Sequence, residues 1–522
     1  MFQFGFSYVG LAYLLMLFIP NIIWTKNQPV DYGQYVKQEN ILLQLFEKIG
    51  EVLVCCVVLI FKDFNVRFDS AWCVWLILSF VLMLLYEYYW IRYFKSKKQM
   101  SDFYTSVLGI PVAGATLPVC AFFLLGVYGC NAFLMIATIV LGIGHIGIHW
   151  QHYKSIAKER KKKMLVFRIL GGIFIIVLVL AVIGMTVLMG IRNYHYIQCH
   201  IGSEKGIYEG IYVPLEGQEQ YIHIVGENTD NPVIIYLHGG PASPDSLATY
   251  TFTKHLADEY TIICWDQRGC GRTYYKNKDI DPKNETATFA QAQKDLGALV
   301  TYACERFNQD KVIIMGHSYG TILGSEYVLS HPEKVSAYIG IGQFASIEKG
   351  DKTAYEDALV IAAEKGDNTA EMTAAYEAYE KDRSVEKLTG FRKFIAPYYK
   401  APRGKNTIMA GLTSPDANLI DFKWQIKPMF FMKEYIDINK QLLDCTFEEN
   451  LFEGNLNYKM PVTFISGSCD FATPVKCTQE YMDVITAPKK EMYVLEGCSH
   501  GPQFDAPEEF AETIKKSLSE TK

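Results

Sequence analysis

Long uncharged stretches separated by short charged loops fill the first 190 positions, and then the pattern changes. Residues 169–189 run for 21 positions without one charged side chain, enough at 1.5 Å per residue to cross a ~30 Å hydrocarbon layer. Runs of the same kind occupy 1–24, 107–127 and 132–150. The run at 71–86 is shorter, but Tyr88, Tyr89 and Trp90 continue it past Glu87 as an interfacial belt. Residues 52–61 follow Glu47, Lys48 and Glu51 and read as a tilted or re-entrant segment. Six spanning helices are therefore expected within 1–190, the second having the weakest pattern. The first run has no basic flank ahead of it and further spans follow, so it does not read as a cleaved signal peptide.

Positive charge orients the bundle. Arg92, Lys95, Lys97 and Lys98 form one cluster, and Lys154, Lys158, Arg160, Lys161, Lys162, Lys163 and Arg168 form a stronger one before the last span. Both fall in alternate loops of a six-helix bundle, so both are expected on the cytoplasmic side. Everything after residue 190 then lies outside the cytoplasm. His145, His149 and His152 fall on one face of the fifth helix. They read either as a haem or metal site inside the bundle or as interfacial histidines beside Trp150.

After a connector at 191–205, short β-branched runs alternate with helical stretches. Residues 221–225, 233–237, 261–265, 312–315, 337–341, 462–466 and 491–495 read as strands, several apolar throughout, as a parallel sheet covered on both faces requires. The predicted architecture is a doubly wound α/β core at 206–343 and 457–522. Residues 344–456, too long for a loop, are expected to form an inserted helical cap.

The candidate chemistry sits at strand ends. Residues 312–315 lead into Gly316-His317-Ser318-Tyr319-Gly320, a nucleophile-elbow pattern in which Ser318 needs small neighbours two positions before and after. A second match, Gly497-Cys498-Ser499-His500-Gly501, is followed by Pro502 and leaves no room for an acid and a base after it. Asp470 follows one strand and His500 the next, giving the order serine, acid, histidine. His500 would take the Ser318 proton while Asp470 holds the imidazole. His238-Gly239-Gly240-Pro241-Ala242 follows an earlier strand. The backbone N–H groups of Gly239, Gly240 and Tyr319 would form the oxyanion hole. Read alone, the glycines are a plain turn.

His238–Ala242, Asp266-Gln267-Arg268-Gly269-Cys270-Gly271-Arg272-Thr273 and the Ser318 elbow together resemble the prolyl iminopeptidase branch of the α/β hydrolases, whose segments read HGGPG, DQRGxGxS and GxSxG. The resemblance covers roughly 206–522. It implies an α/β-hydrolase fold and a serine aminopeptidase that removes an N-terminal residue, often proline, from peptides or small amides without metal or cofactor. Ala242 replaces the family's last glycine and Thr273 its serine. The family's cap supplies glutamates that grip the substrate amine, and 348–386 here holds 11 acidic against 5 basic residues. Arg268 reads as a structural residue tying its loop through Asp266.

Composition narrows the partners. The chain of 522 residues is 50% hydrophobic and 20% charged, which excludes disorder. The first 190 residues carry 16 Lys+Arg against 9 Asp+Glu, and the remainder 34 against 47, so no dense basic face exists for nucleic acid. Eight of the 13 cysteines follow residue 190; Cys469 and Cys498 flank the acid and the base, and no zinc-spaced pair occurs. The expected protein is a multi-pass membrane enzyme in contact with the lipid bilayer, with its hydrolase domain outside the cytoplasm. The alternatives are an esterase or amidase with the same triad, and a membrane receptor whose outer domain binds peptide without cleaving it.

Overall fold

A computed structural model describes residues 4–67, 73–157 and 184–519, and the chain divides into two compact units, Met1–Met189 and Gly190–Lys522. Most of the last expected span, with its basic flank, lies outside the described residues.

The first unit is helical: α1 (Tyr8–Thr25), α2 (Ile41–Ile60), α3 (Cys73–Phe94), α4 (Ala113–Tyr128) and α5 (Ala132–Ala157). Ser7 caps α1 by accepting from Gly10 N–H, and Asn40 caps α2 by accepting from Leu42 N–H. Of these, α1, α3 and α5 are long and apolar enough to cross a membrane, and α4 is a shorter apolar helix. Two expectations change. The segment expected at 52–61 is the second half of a 20-residue helix that runs straight through Glu47, Lys48 and Glu51. The fourth run loses its first turn and a half because Val112 adopts a left-handed conformation (φ 46°), so the helix opens only at Ala113. Small residues bring the helices together. A Cβ on Gly10 would lie 2.1 Å from Val58 O, one on Gly50 2.3 Å from Leu141 Cα, and one on Gly144 2.2 Å from Glu47 N.

The second unit is built on one eight-stranded sheet in the order β1-β2-β4-β3-β5-β6-β7-β8. The strands are β1 (Ile207–Leu215), β2 (Gln218–Gly226), β3 (Val233–Leu237), β4 (Thr261–Trp265), β5 (Val312–His317), β6 (Val335–Ile341), β7 (Val462–Gly467) and β8 (Lys490–Leu495). The β1–β2 and β2–β4 pairs are antiparallel and all later pairs parallel. Alternation along β3 shows why its run is apolar throughout. Val233, Ile235 and Leu237 enter the core on one face of the sheet, Ile234 and Tyr236 the core on the other. Helices Phe289–Phe307 and Tyr319–Ser330 add Leu296, Leu299, Ile322 and Leu323 to the first core, and the C-terminal helix Pro507–Ser519 adds Phe510 and Ile514 to the second. Between β6 and β7 the chain forms a series of helices from Ile347 to Glu448, joined by loops. The helices Leu419–Gln425 and Met432–Glu448 of that insertion reach the loop after β3.

Candidate active site

Ser318 stands between β5 and the helix Tyr319–Ser330 with φ 52° and ψ −121°, a conformation that L-residues avoid. The close approach of the chain around it explains the two glycines. A Cβ on Gly316 would sit 2.5 Å from Gly320 O, and one on Gly320 2.2 Å from Leu237 O. Ser318 N–H donates to Ile341 O at the end of β6 (3.0 Å), which holds the turn in place.

Asp470 and His500, the acid and base expected from the sequence, follow the ends of β7 and β8. His500 Nδ1 lies 2.8 Å from Asp470 Oδ2, with the carboxylate fully buried and the imidazole about a third exposed. Asp470 also accepts from Ala472 N–H (2.8 Å), Thr473 N–H (3.0 Å) and the Thr473 hydroxyl (2.7 Å). Burial by itself pushes this carboxyl up, but His500 and the Thr473 donors outweigh it and hold it below the usual range.

His317, beside the serine, links the two strand ends. Its Nε2 lies 2.9 Å from His500 O, its ring is 5.0 Å from the His500 ring, and its Nδ1 is 3.8 Å from Asp245 Oδ2. Burial lowers the His317 pKa, yet Asp245 more than compensates and the net direction is upward. The structure thus brings Ser318, Asp470 and His500 to one end of the sheet. Among the described residues the Ser318 hydroxyl makes no hydrogen bond to His500; the bond that is formed is His500–Asp470.

The loop after β3 passes over the serine. A Cβ on Gly239 would lie 3.0 Å from Ser318 Cβ and 3.2 Å from His317 O, so only glycine fits without displacing the elbow. The N–H groups of Gly239 and Gly240 donate to nothing among the described residues, which leaves them available to a ligand oxygen. Ala242 adopts φ 61°, a left-handed conformation, and is held there from the helical insertion: Trp424 Nε1–H donates to Ala242 O and the Tyr435 hydroxyl to Pro241 O, each at 2.9 Å.

Arg268 is structural, but its partner is not Asp266. It forms a buried bidentate pair with Asp295 (2.6 and 2.8 Å) on the helix Phe289–Phe307. Asp266 instead accepts from Arg272 N–H (2.9 Å), and burial pushes its carboxyl up to about 7 against the pull of Arg272. Sequence reading missed Arg272. Its guanidinium grips Asp421 with two 2.7 Å hydrogen bonds and stacks 4.3 Å over Tyr221, fastening the loop to the insertion. Its arginine at the position before Thr273 was the available signal. Several insertion carboxylates are also spent internally: Glu348 and Glu380 on Arg383, and Asp351 on Arg392. Cys498 is buried, and burial pushes its thiol up to about 11, whereas Cys469 is partly exposed.

A family model described as alpha/beta hydrolase fold matches residues 232–378. The "Probable aminopeptidase YbaC" of Bacillus subtilis (strain 168) is 25% identical over 319 residues, covering 57% of this chain and 92% of that protein. A proline iminopeptidase of Heyndrickxia coagulans is 24% identical over 293 residues, covering 56% and 92%. Among solved structures, a proline iminopeptidase of Mycobacterium smegmatis is 21% identical, covers 60% of this chain and 98% of its own, and superposes with a TM-score of 0.40.

Proposed function

We propose, from a second unit that is an α/β hydrolase of the prolyl iminopeptidase type, that this chain is a serine aminopeptidase using Ser318, His500 and Asp470. The observation that carries the reading is the buried His500–Asp470 pair at 2.8 Å at the same end of the sheet as a serine held at φ 52°. Ser318 Oγ attacks the carbonyl carbon of the N-terminal residue while its proton passes to His500 Nε2. Asp470 holds His500 Nδ1–H and stabilises the imidazolium. The backbone N–H groups of Gly239, Gly240 and Tyr319 receive the oxyanion. The C–N bond then breaks as His500 returns its proton to the leaving amine, and water repeats the sequence on the acyl-enzyme. No step calls on a metal or cofactor.

The three long apolar helices support anchoring in a bilayer, and the basic clusters at 92–98 and 154–168 favour a cytoplasmic position for those loops, with the hydrolase on the opposite side. A fluorophosphonate probe is expected to label the wild type and not Ser318→Ala. The same pair is then assayed on aminoacyl arylamides, where proline arylamide should be cleaved by the wild type alone. Absence of labelling in folded protein would instead leave a peptide-binding receptor.

One observation favours a second reading, an esterase or amidase with the same triad. Glu348, Glu380 and Asp351 are occupied by Arg383 and Arg392, which removes three carboxylates from any role in holding an amine. Faster turnover of N-acylated arylamides and short esters than of free-amine substrates would select it.

A further inference from the structure

The histidines of α5 do not converge on one point. His145 Nδ1 lies 2.5 Å from Glu47 Oε1 on α2. The Tyr104 hydroxyl lies 3.0 Å from His149 Nδ1 and 2.9 Å from His152 Nδ1, and His152 Nε2 lies 3.2 Å from Glu39 Oε1. Among the described residues no group of His, Cys, Asp and Glu has the arrangement of a metal site. Each imidazole instead meets a protein group, His149 and His152 sharing the Tyr104 hydroxyl.

The Glu47–His145 contact and His149 border a cavity of about 640 Å³ within the helical unit, in the size range of small-molecule sites. The two glycine contacts between α2 and α5 create its polar wall. With Gly144 against the backbone of Glu47 and Gly50 against Leu141, the helices are too close for side chains to lie between them. Glu47, Glu51, His145 and His149 consequently line the cavity, while Trp24, Tyr86, Tyr89, Trp90 and Phe122 supply aromatic walls. Among the lining residues there is no Lys or Arg.

His145 is matched to Glu47, whereas Glu51, one turn further along α2, is exposed and makes no hydrogen bond or close ion pair among the described residues, feeling only the longer-range attraction of His145 and Lys48. A carboxylate among apolar helices is costly unless paired, and such residues mark ligand or ion pathways. Aromatic faces attract a cation and repel an anion. With no basic side chain to hold a carboxylate or phosphate, the wall selects against anionic ligands.

We propose that this cavity is a binding site for an amphipathic organic ammonium ion, its charged nitrogen at Glu51 and its apolar body against the aromatic walls. The site is separate from the hydrolase centre and does not depend on how that centre reacts.

Adamantylamine and adamantanol have the same apolar body and differ in charge at neutral pH, so they isolate the Glu51 contribution. Binding to the purified full-length chain in detergent is measured by equilibrium dialysis, with the fluorescence of Trp24 and Trp90 as a second readout. The amine is expected to bind saturably and about tenfold or more tighter than the alcohol, the usual worth of a charge-assisted contact. Glu51→Gln should erase that preference, and Glu51→Asp, which keeps the charge, should retain part of it. Equal binding of amine and alcohol to the wild type would overturn the proposal without recourse to any variant. So would an unchanged preference in Glu51→Gln, or no saturable binding by monodisperse chain.

Discussion

At the scale of single residues the site depends on where side chains are missing as much as on where they are present. Gly239 has room for a hydrogen only, because the next carbon would press on Ser318 Cβ at 3.0 Å and on the His317 carbonyl at 3.2 Å. Gly239→Ala should therefore displace Ser318, the proposed nucleophile, by a fraction of an ångström and lower kcat/KM by about 10²-fold, the cost of small misplacements at a reacting centre. Thermal unfolding of the variant should remain close to wild type. Asp470→Asn leaves the shape intact but can no longer hold His500 in the tautomer that accepts a proton from serine, and a kcat loss of about 10⁴-fold is expected. Asp266 is a different kind of residue, a buried carboxyl whose pKa is raised to about 7 from the ordinary ~3.9. Between those values the folded state binds a proton that the unfolded state has released. Its contribution to stability is thus present below about pH 4 and lost as pH rises to about 7. Asp470, held low, has the opposite sign, contributing above the ordinary carboxyl pKa and failing as pH falls through its own. Asp266→Asn should flatten the decline of unfolding temperature between about pH 4 and 7; an unaltered slope would mean that another group carries it.

At the scale of elements, local pattern and tertiary partnership separate cleanly. The parallel strands were legible because burial on both faces makes them apolar at every position, as in the VIIYL of β3. The edge strand β1 was not: Ile207–Leu215 contains Gly210 and Pro214, which demote a run as a strand, and only its last residues are buried on alternate positions. β2 was read four residues too short, three of them at its start, where Gln218 and Gln220 are buried polar residues, the latter accepting from Trp265 Nε1–H. The placement of Ser318, Asp470 and His500 at strand ends could be read because strand-end position and chain order are properties of one segment at a time. The pairs Arg268–Asp295, Arg272–Asp421 and Glu47–His145 could not, since nothing local in either partner identifies the other. Arg272–Asp421 is one of the contacts, with those of Trp424 and Tyr435, that fasten the helical insertion to the loops at the strand ends. Both groups are over nine-tenths buried, so Arg272→Met strands a carboxylate in the interior and should cost about 3–5 kcal/mol. Denaturant unfolding followed by intrinsic fluorescence, to which Trp424 at the Ala242 carbonyl contributes, measures the loss. A loss below about 1 kcal/mol, the range of exposed pairs, would show that water reaches the pair.

At the scale of the molecule, the two units differ in the sign of their charge as much as in their architecture, and the proposed orientation draws on the positive half of that difference. The positive excess of the first 190 residues is concentrated in two loops, whereas the negative excess of the rest is spread over the hydrolase. Translocation retains Lys and Arg on the cytoplasmic side and is little affected by acidic domains, so the short cluster at 158–168 outweighs the much larger anionic unit that follows it. The proposed topology therefore leans most heavily on the six side chains that follow Lys154 in this cluster. Replacing Lys158, Arg160, Lys161, Lys162, Lys163 and Arg168 with Gln should leave the hydrolase sequence untouched yet give a population of chains with the catalytic unit on the wrong side. Protease added to intact cells should digest the wild-type hydrolase and spare a fraction of the variant, and a charged, impermeant aminoacyl arylamide should be cleaved by wild-type cells more than by variant cells. Lysis should restore equal rates, because the active site contains none of the six residues. Wild-type hydrolase that resists external protease until the cells are opened would reverse the orientation, while the site chemistry at Ser318 would stand unaffected.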